Sequence, residues 1–94
     1  MTIAMESRLE AVISDLRWIS RGEVLHCNLA LPIETAELTF SSLRFGPVAG
    51  DDGSALKMSI VDLKAQLVDC ARREDDAENY VCAERIRGAI RLLL

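Results

Sequence analysis

The chain has 94 residues, half of them apolar, only four aromatic, and a formal charge of −4. That length makes one domain, and so few aromatics leave its core to Leu, Ile, Val and Ala, a composition suited to helices packed by ridges and grooves. The charge deficit is spread along the chain, so no segment is basic enough to neutralise a run of phosphates, and nucleic-acid binding is disfavoured.

No stretch reaches the roughly 18–20 consecutive apolar residues that a membrane-spanning helix needs. The first residues carry Glu6 and Arg8 before any long apolar pattern, unlike the basic start and continuous apolar run of a signal peptide. Cys27, Cys70 and Cys82 are odd in number and widely spaced, which suits reduced thiols better than a disulfide framework. These features point to a cytoplasmic protein that engages neither membrane nor nucleic acid.

The first periodic segment is Met5–Ile19, where Leu9, Val12, Ile13, Leu16 and Ile19 fall on one helical face. Acids lie in its early turns, Arg17 and Arg21 at its end, and Gly22 follows as a stop. Residues 23–31 read differently. Leu25, Cys27, Leu29 and Leu31 alternate with Val24, His26, Asn28 and Ala30, the period-two pattern of a half-buried strand closed by Pro32.

Residues 33–45 carry two patterns at once. Ile33, Ala36, Phe40 and Leu43 fit a helical stripe with Pro32 in its first turn. Thr39, Ser41 and Ser42 weigh against a helix, and the balance tilts towards a strand pairing back onto 24–31 as a β-hairpin. Gly46–Ser54 is the clear breaker cluster, dividing an N-terminal unit, 1–45, from a C-terminal one through a Gly/Pro/Asp loop over 46–57.

Residues 58–94 read as an antiparallel helical hairpin. Ser59 with Asp62 resembles a capping box, and Ile60, Leu63, Leu67, Cys70 and Ala71 form the first stripe. A second stripe, Cys82, Ile86, Ala89, Ile90 and Leu93, is out of phase with the first, which places a turn near 74–79. The expected fold is thus α+β and helix-dominated: an N-terminal helix, a short β-hairpin (or a strand plus a helix), and the C-terminal hairpin.

Catalytic and metal chemistry find little support. His26 with Cys27, Cys70 and Cys82 supplies soft ligands in number, but no cysteine pair has the short spacing of a zinc turn, and neighbours on a strand point to opposite faces. Each cysteine reads more simply as a small buried apolar residue. Asp75 and Asp76 read as a solvated turn or a helix cap, and Gly46, Gly50 and Gly53 do not have phosphate-loop spacing. No catalytic, cofactor or metal residue is assigned, and the chain is not expected to be an enzyme.

The surface offers more. Glu84 is spaced to pair with Arg87 at i+3 and not with Arg91. Trp18 sits at the edge of the first stripe, where closing the core is the simpler role and anchoring a partner the other. The chain finishes on Leu92, Leu93 and Leu94, which span about 200° of a helix (100° per residue) and cannot all be hidden by two helices.

Within 60–93, Leu63, Leu67 and Ala71, then Tyr80, Ala83, Ile86, Arg87 and Ile90, resemble the UVR motif, the helical hairpin of bacterial excision-repair and adaptor proteins. The departures are a longer turn, Val81 in place of the glutamate after the aromatic, and Gly88 in place of the acid after the arginine. The resemblance implies a protein-binding hairpin and brings no catalytic residue. Composition and resemblance together predict a small non-enzymatic interaction module, an adaptor, inhibitor or regulatory subunit. Its partner would be another protein, met through Trp18, Tyr80, Arg87, Ile90, Arg91, Leu93 and Leu94. The alternatives are a structural homodimer and a thiol- or metal-dependent protein using His26 with the cysteines.

Overall fold

In a computed structural model of the chain, residues 2–22, 24–45 and 54–94 are described, with side chains over 5–22, 24–43 and 58–94. They form four helices: α1 (Thr2–Gly22), α2 (Ala30–Phe45), α3 (Ser54–Asp76) and α4 (Tyr80–Leu92). Each helix packs against the next in sequence, and α4 returns to α1. The connections 23–29 and 77–79 are short, which makes the helices they join antiparallel neighbours. Arg8, near the start of α1, donates to the carbonyl of Leu94 at 3.2 Å, so α4 also runs antiparallel to α1. The result is an up-down-up-down bundle measuring 45 × 20 × 18 Å.

The helical stripes read from the sequence do the packing. Leu9, Val12, Leu16 and Ile19 from α1, Ala36 from α2, Leu63, Leu67, Cys70 and Ala71 from α3, Ile86 and Ala89 from α4, and Leu93 just past its end are buried in one cluster. Ile13, Ile33, Phe40 and Ile90 pack on it, half-buried. The core is aliphatic, as the shortage of aromatics requires.

The α+β expectation is overturned, since no strand occurs among the described residues. Where the alternating segment suggested a strand, residues 24–29 form an irregular strap with a bend at His26–Cys27. Within it Leu29 is buried and Leu25 and Cys27 are half-buried, so the alternation records which side chains turn inward, without ladder pairing. The β-hairpin fails for the same reason: residues 30–45 are α2. Asn28 starts that helix, its Oδ1 accepting from the Ala30 N–H at 2.9 Å. Pro32 lies in the first turn, where a missing N–H costs nothing.

Two of the hydroxyl residues that argued against a helix, Thr39 and Ser42, are accommodated inside α2, and Thr35 behaves likewise. Thr35 donates to the Leu31 carbonyl, Thr39 to that of Thr35 and Ser42 to that of Leu38, at 3.0, 2.7 and 3.1 Å. Back-bonding one turn upstream satisfies a hydroxyl without leaving the helix.

α3 starts at Ser54, earlier than the expected 58, and runs through Ser59, which therefore lies inside the helix and cannot cap it. The breaker residues 46–53 lie outside the described residues. The hairpin turn falls where the change of stripe phase placed it, at Ala77–Asn79. Glu78 adopts φ 62°, the Asn79 N–H reaches back to the Glu74 carbonyl at 2.8 Å, and the Glu78 N–H reaches that of Asp75 at 2.9 Å. This is a Schellman closure with glutamate in the left-handed position that usually belongs to glycine.

Candidate functional site

The residues expected to meet a partner separate into two ends and a middle. At the end where α1 closes and α4 opens, Trp18 is 71% exposed and Tyr80 61% exposed, and Val24 and Val81 are exposed with them. Of the two roles open to Trp18, closing the core is not the one it takes, since it lies off the buried stripe of α1. Its ring stands between two clefts. One, of about 420 Å³, runs towards α2 and includes Ile13, Arg17, Arg21 and Phe40. The other, of about 270 Å³, is shared with Asp15, Ile19 and Arg85 of α4.

Along the outer side of α4 the charges serve the hairpin itself. Arg87 pairs with Asp75 across the turn and lies 3.6 Å from Glu84. Arg91 reaches Glu84 at 2.7 Å, although the i+7 spacing seemed too long on sequence grounds. An arginine side chain extends far enough to span two turns when it lies along the helix axis.

At the far end, the three leucines divide. Leu93 is 2% exposed and packs in the core, Leu92 is half-buried, and Leu94 is 74% exposed. Ile90 likewise packs on the core. Leu93 and Ile90 are therefore positioned as bundle residues, and α1, which packs against α4, supplies the cover that two helices alone lacked.

His26, Cys27, Cys70 and Cys82 are not gathered into one centre. Cys82 is buried on α4 and His26 is exposed, while Cys27 and Cys70 border one cleft between the strap and α3. Among the described residues, no three His, Cys, Asp or Glu side chains converge as a metal site.

A polar centre that the sequence reading missed lies beneath the strap. Glu74 of α3 is fully buried. Its carboxylate accepts from the His26 N–H at 2.9 and 3.2 Å and from the Asn79 amide at 2.8 Å. The same amide donates to the Val24 carbonyl at 3.2 Å. Burial by itself pushes the Glu74 carboxyl up, but the Cys27 thiol, the Asn79 amide and the N–H groups of His26 and Cys27 outweigh it and hold the group below its ordinary value. Burial, and then the neighbouring Glu74, push the Cys27 thiol far up; burial also raises Cys70. Chemically, the cluster has an ionised carboxylate held by neutral donors and two protonated thiols.

One signal for Glu74 was present in the sequence. It falls four residues after Cys70 and seven after Leu67, squarely on the buried stripe, whereas Asp75 and Asp76 do not. An acid on an apolar stripe signals a buried partner more strongly than an acid in a turn.

Comparison with protein-family models, curated proteins and solved structures returns no match.

Proposed function

We propose that the chain is a small non-enzymatic protein-binding module that docks through the end of the bundle where α1 closes and α4 opens. The observation that carries this reading is Trp18, 71% exposed on a folded surface that has an aliphatic core available to it. Burying a large apolar side chain is worth about 1.5–3 kcal/mol. A bundle that keeps Trp18, Tyr80, Val24 and Val81 in water forgoes that contribution at each of them unless a partner supplies the cover. Trp and Tyr are also the side chains that most often dominate a protein interface.

In this reading Trp18 and Tyr80 are the anchors, while Arg87 and Arg91 are engaged with Asp75 and Glu84 along the outer side of α4. In the α3–α4 hairpin Ala83 and Ile86 are buried, which leaves the exposed Tyr80 to meet a partner. Among the described residues no helix is long and apolar enough to cross a membrane, and a cytoplasmic setting accords with three cysteines that form no disulfide. The test is affinity capture from native lysate with the intact chain, Trp18→Ala and Leu94→Glu. A partner retained by the intact chain and by Leu94→Glu but lost with Trp18→Ala supports the proposal; one retained equally by all three defeats it.

A second reading, a homodimer, draws on a different surface. Leu31 and Leu38 on α2 and Met58, Val61 and Val68 on α3 are all exposed, and the Leu and Val pairs are each seven residues apart. Light scattering separates the two readings, because a monomer at micromolar concentration excludes the dimer.

A further inference from the structure

Cys27 and Cys70 are 43 positions apart in sequence and belong to different elements, the strap and α3. The fold nevertheless brings them to one place. The Cys70 Sγ lies 3.9 Å from the carbonyl oxygen of Asn28, the residue directly after Cys27. Both thiols border a cleft of about 260 Å³ whose other walls include Leu31, Pro32 and Arg73. Cys27 also borders a larger cleft, of about 590 Å³, on the α1–α2 side, so it is reached from two directions.

Two thiols in this relation differ from three buried apolar residues that happen to be cysteine. Cys82 lines neither cleft. The strap is held to α3 by Glu74 and to the α3–α4 turn by Asn79, both through hydrogen bonds. A covalent bond from Cys27 to Cys70 would add to the same attachment without requiring the strap to move to a different element.

We propose that Cys27 and Cys70 are an oxidisable dithiol, converted by a small-molecule disulfide of the glutathione class into an intramolecular cross-link that fastens the strap to α3. In the first step Cys27, as its thiolate, attacks one sulfur of the oxidant. The oxidant's S–S bond breaks, a mixed disulfide forms on Cys27, and one thiol of the oxidant leaves carrying the proton released by Cys27. Cys70, as its thiolate, then attacks the Cys27 sulfur, the mixed disulfide breaks, and the second small thiol leaves with the proton of Cys70. Two electrons pass from the protein pair to the oxidant, which is reduced to two thiols. Burial raises both thiols, so little thiolate is present at neutral pH and the exchange is slow.

The test incubates the reduced full chain with oxidised glutathione, blocks remaining thiols under denaturing conditions, and maps the peptides by mass spectrometry. The expected product is a monomer lighter by two hydrogens, with Cys27 linked to Cys70 and Cys82 blocked as a thiol. The cross-link encloses a long loop, so the oxidised chain should melt about 10 °C higher than the reduced one. Cys82→Ala should still give the cross-link and Cys27→Ser should not. Three thiols remaining blockable after prolonged exposure, a mixed disulfide that never resolves, or a bond that involves Cys82 or a second chain would each overturn the proposal.

Discussion

Glu74 is a carboxylate whose counterparts are backbone N–H groups, an amide and a thiol, and its removal strands them in a dry place. An orphaned buried donor costs about 1–3 kcal/mol. Glu74→Ala, which orphans the His26 N–H and half the Asn79 amide, should therefore cost about 3 kcal/mol, measured by chemical denaturation. The pH dependence follows from the direction of the shift. The folded carboxyl titrates below its ordinary value of 4.5, so its contribution is fully present above that pH and is lost as pH falls through the lower folded value. The stability difference between the intact chain and Glu74→Gln should accordingly be level near neutrality and shrink in acid below about 4.5. A difference that grew on acidification would mean that Glu74 is protonated in the fold. Glu78 offers a change of opposite sign. At φ 62° its side chain is strained, and Glu78→Gly should stabilise the hairpin by about 0.5–1 kcal/mol in the same assay.

At the level of helices, Gly88 is the clearest weakness. It sits in the interior of α4 with nothing within 4 Å of the place a Cβ would occupy. Gly88→Ala should raise stability by about 0.5–1 kcal/mol through helix propensity alone, read as a higher melting temperature with unchanged circular dichroism shape. Helical periodicity made α1, the second half of α3 and α4 readable from sequence, because each packs a single stripe against neighbours on one side. It failed for 24–45 for two local reasons. The strap alternates inward and outward like a strand while taking its hydrogen bonds from Glu74 and Asn79, residues some fifty positions away. α2 absorbs Thr35, Thr39 and Ser42 by bonding each hydroxyl one turn back, so composition alone makes it look unlike a helix.

Taken whole, the molecule places its binding candidates where single-helix reasoning could not. The face of a helix that a stripe defines is legible; which of the remaining side chains the other helices cover is a matter of how four helices close. Leu93 was expected to face a partner and is enclosed by the bundle, whereas Trp18, for which both closing the core and anchoring a partner were open, stands outside. Substitutions should reverse the order that residue size suggests. Leu67→Ala, at a fully buried position, should cost about 2–5 kcal/mol. Trp18→Ala should cost under about 1 kcal/mol, with thermal melts of the two variants as the measurement. A large loss with Trp18→Ala would return that side chain to the core and take the proposed docking surface with it.

Trp18 is also the chain's only tryptophan, and its exposure gives the protein a built-in optical signal with an unusual bias. An indole already facing water changes its surroundings little when the chain unfolds, so its emission should stay red and quenchable across a thermal melt that circular dichroism records plainly. The same indole would move to a dry environment only when another surface covers it. Fluorescence from this chain is therefore nearly blind to folding and specific for docking, and a blue shift on titration with a captured partner would report engagement without any label.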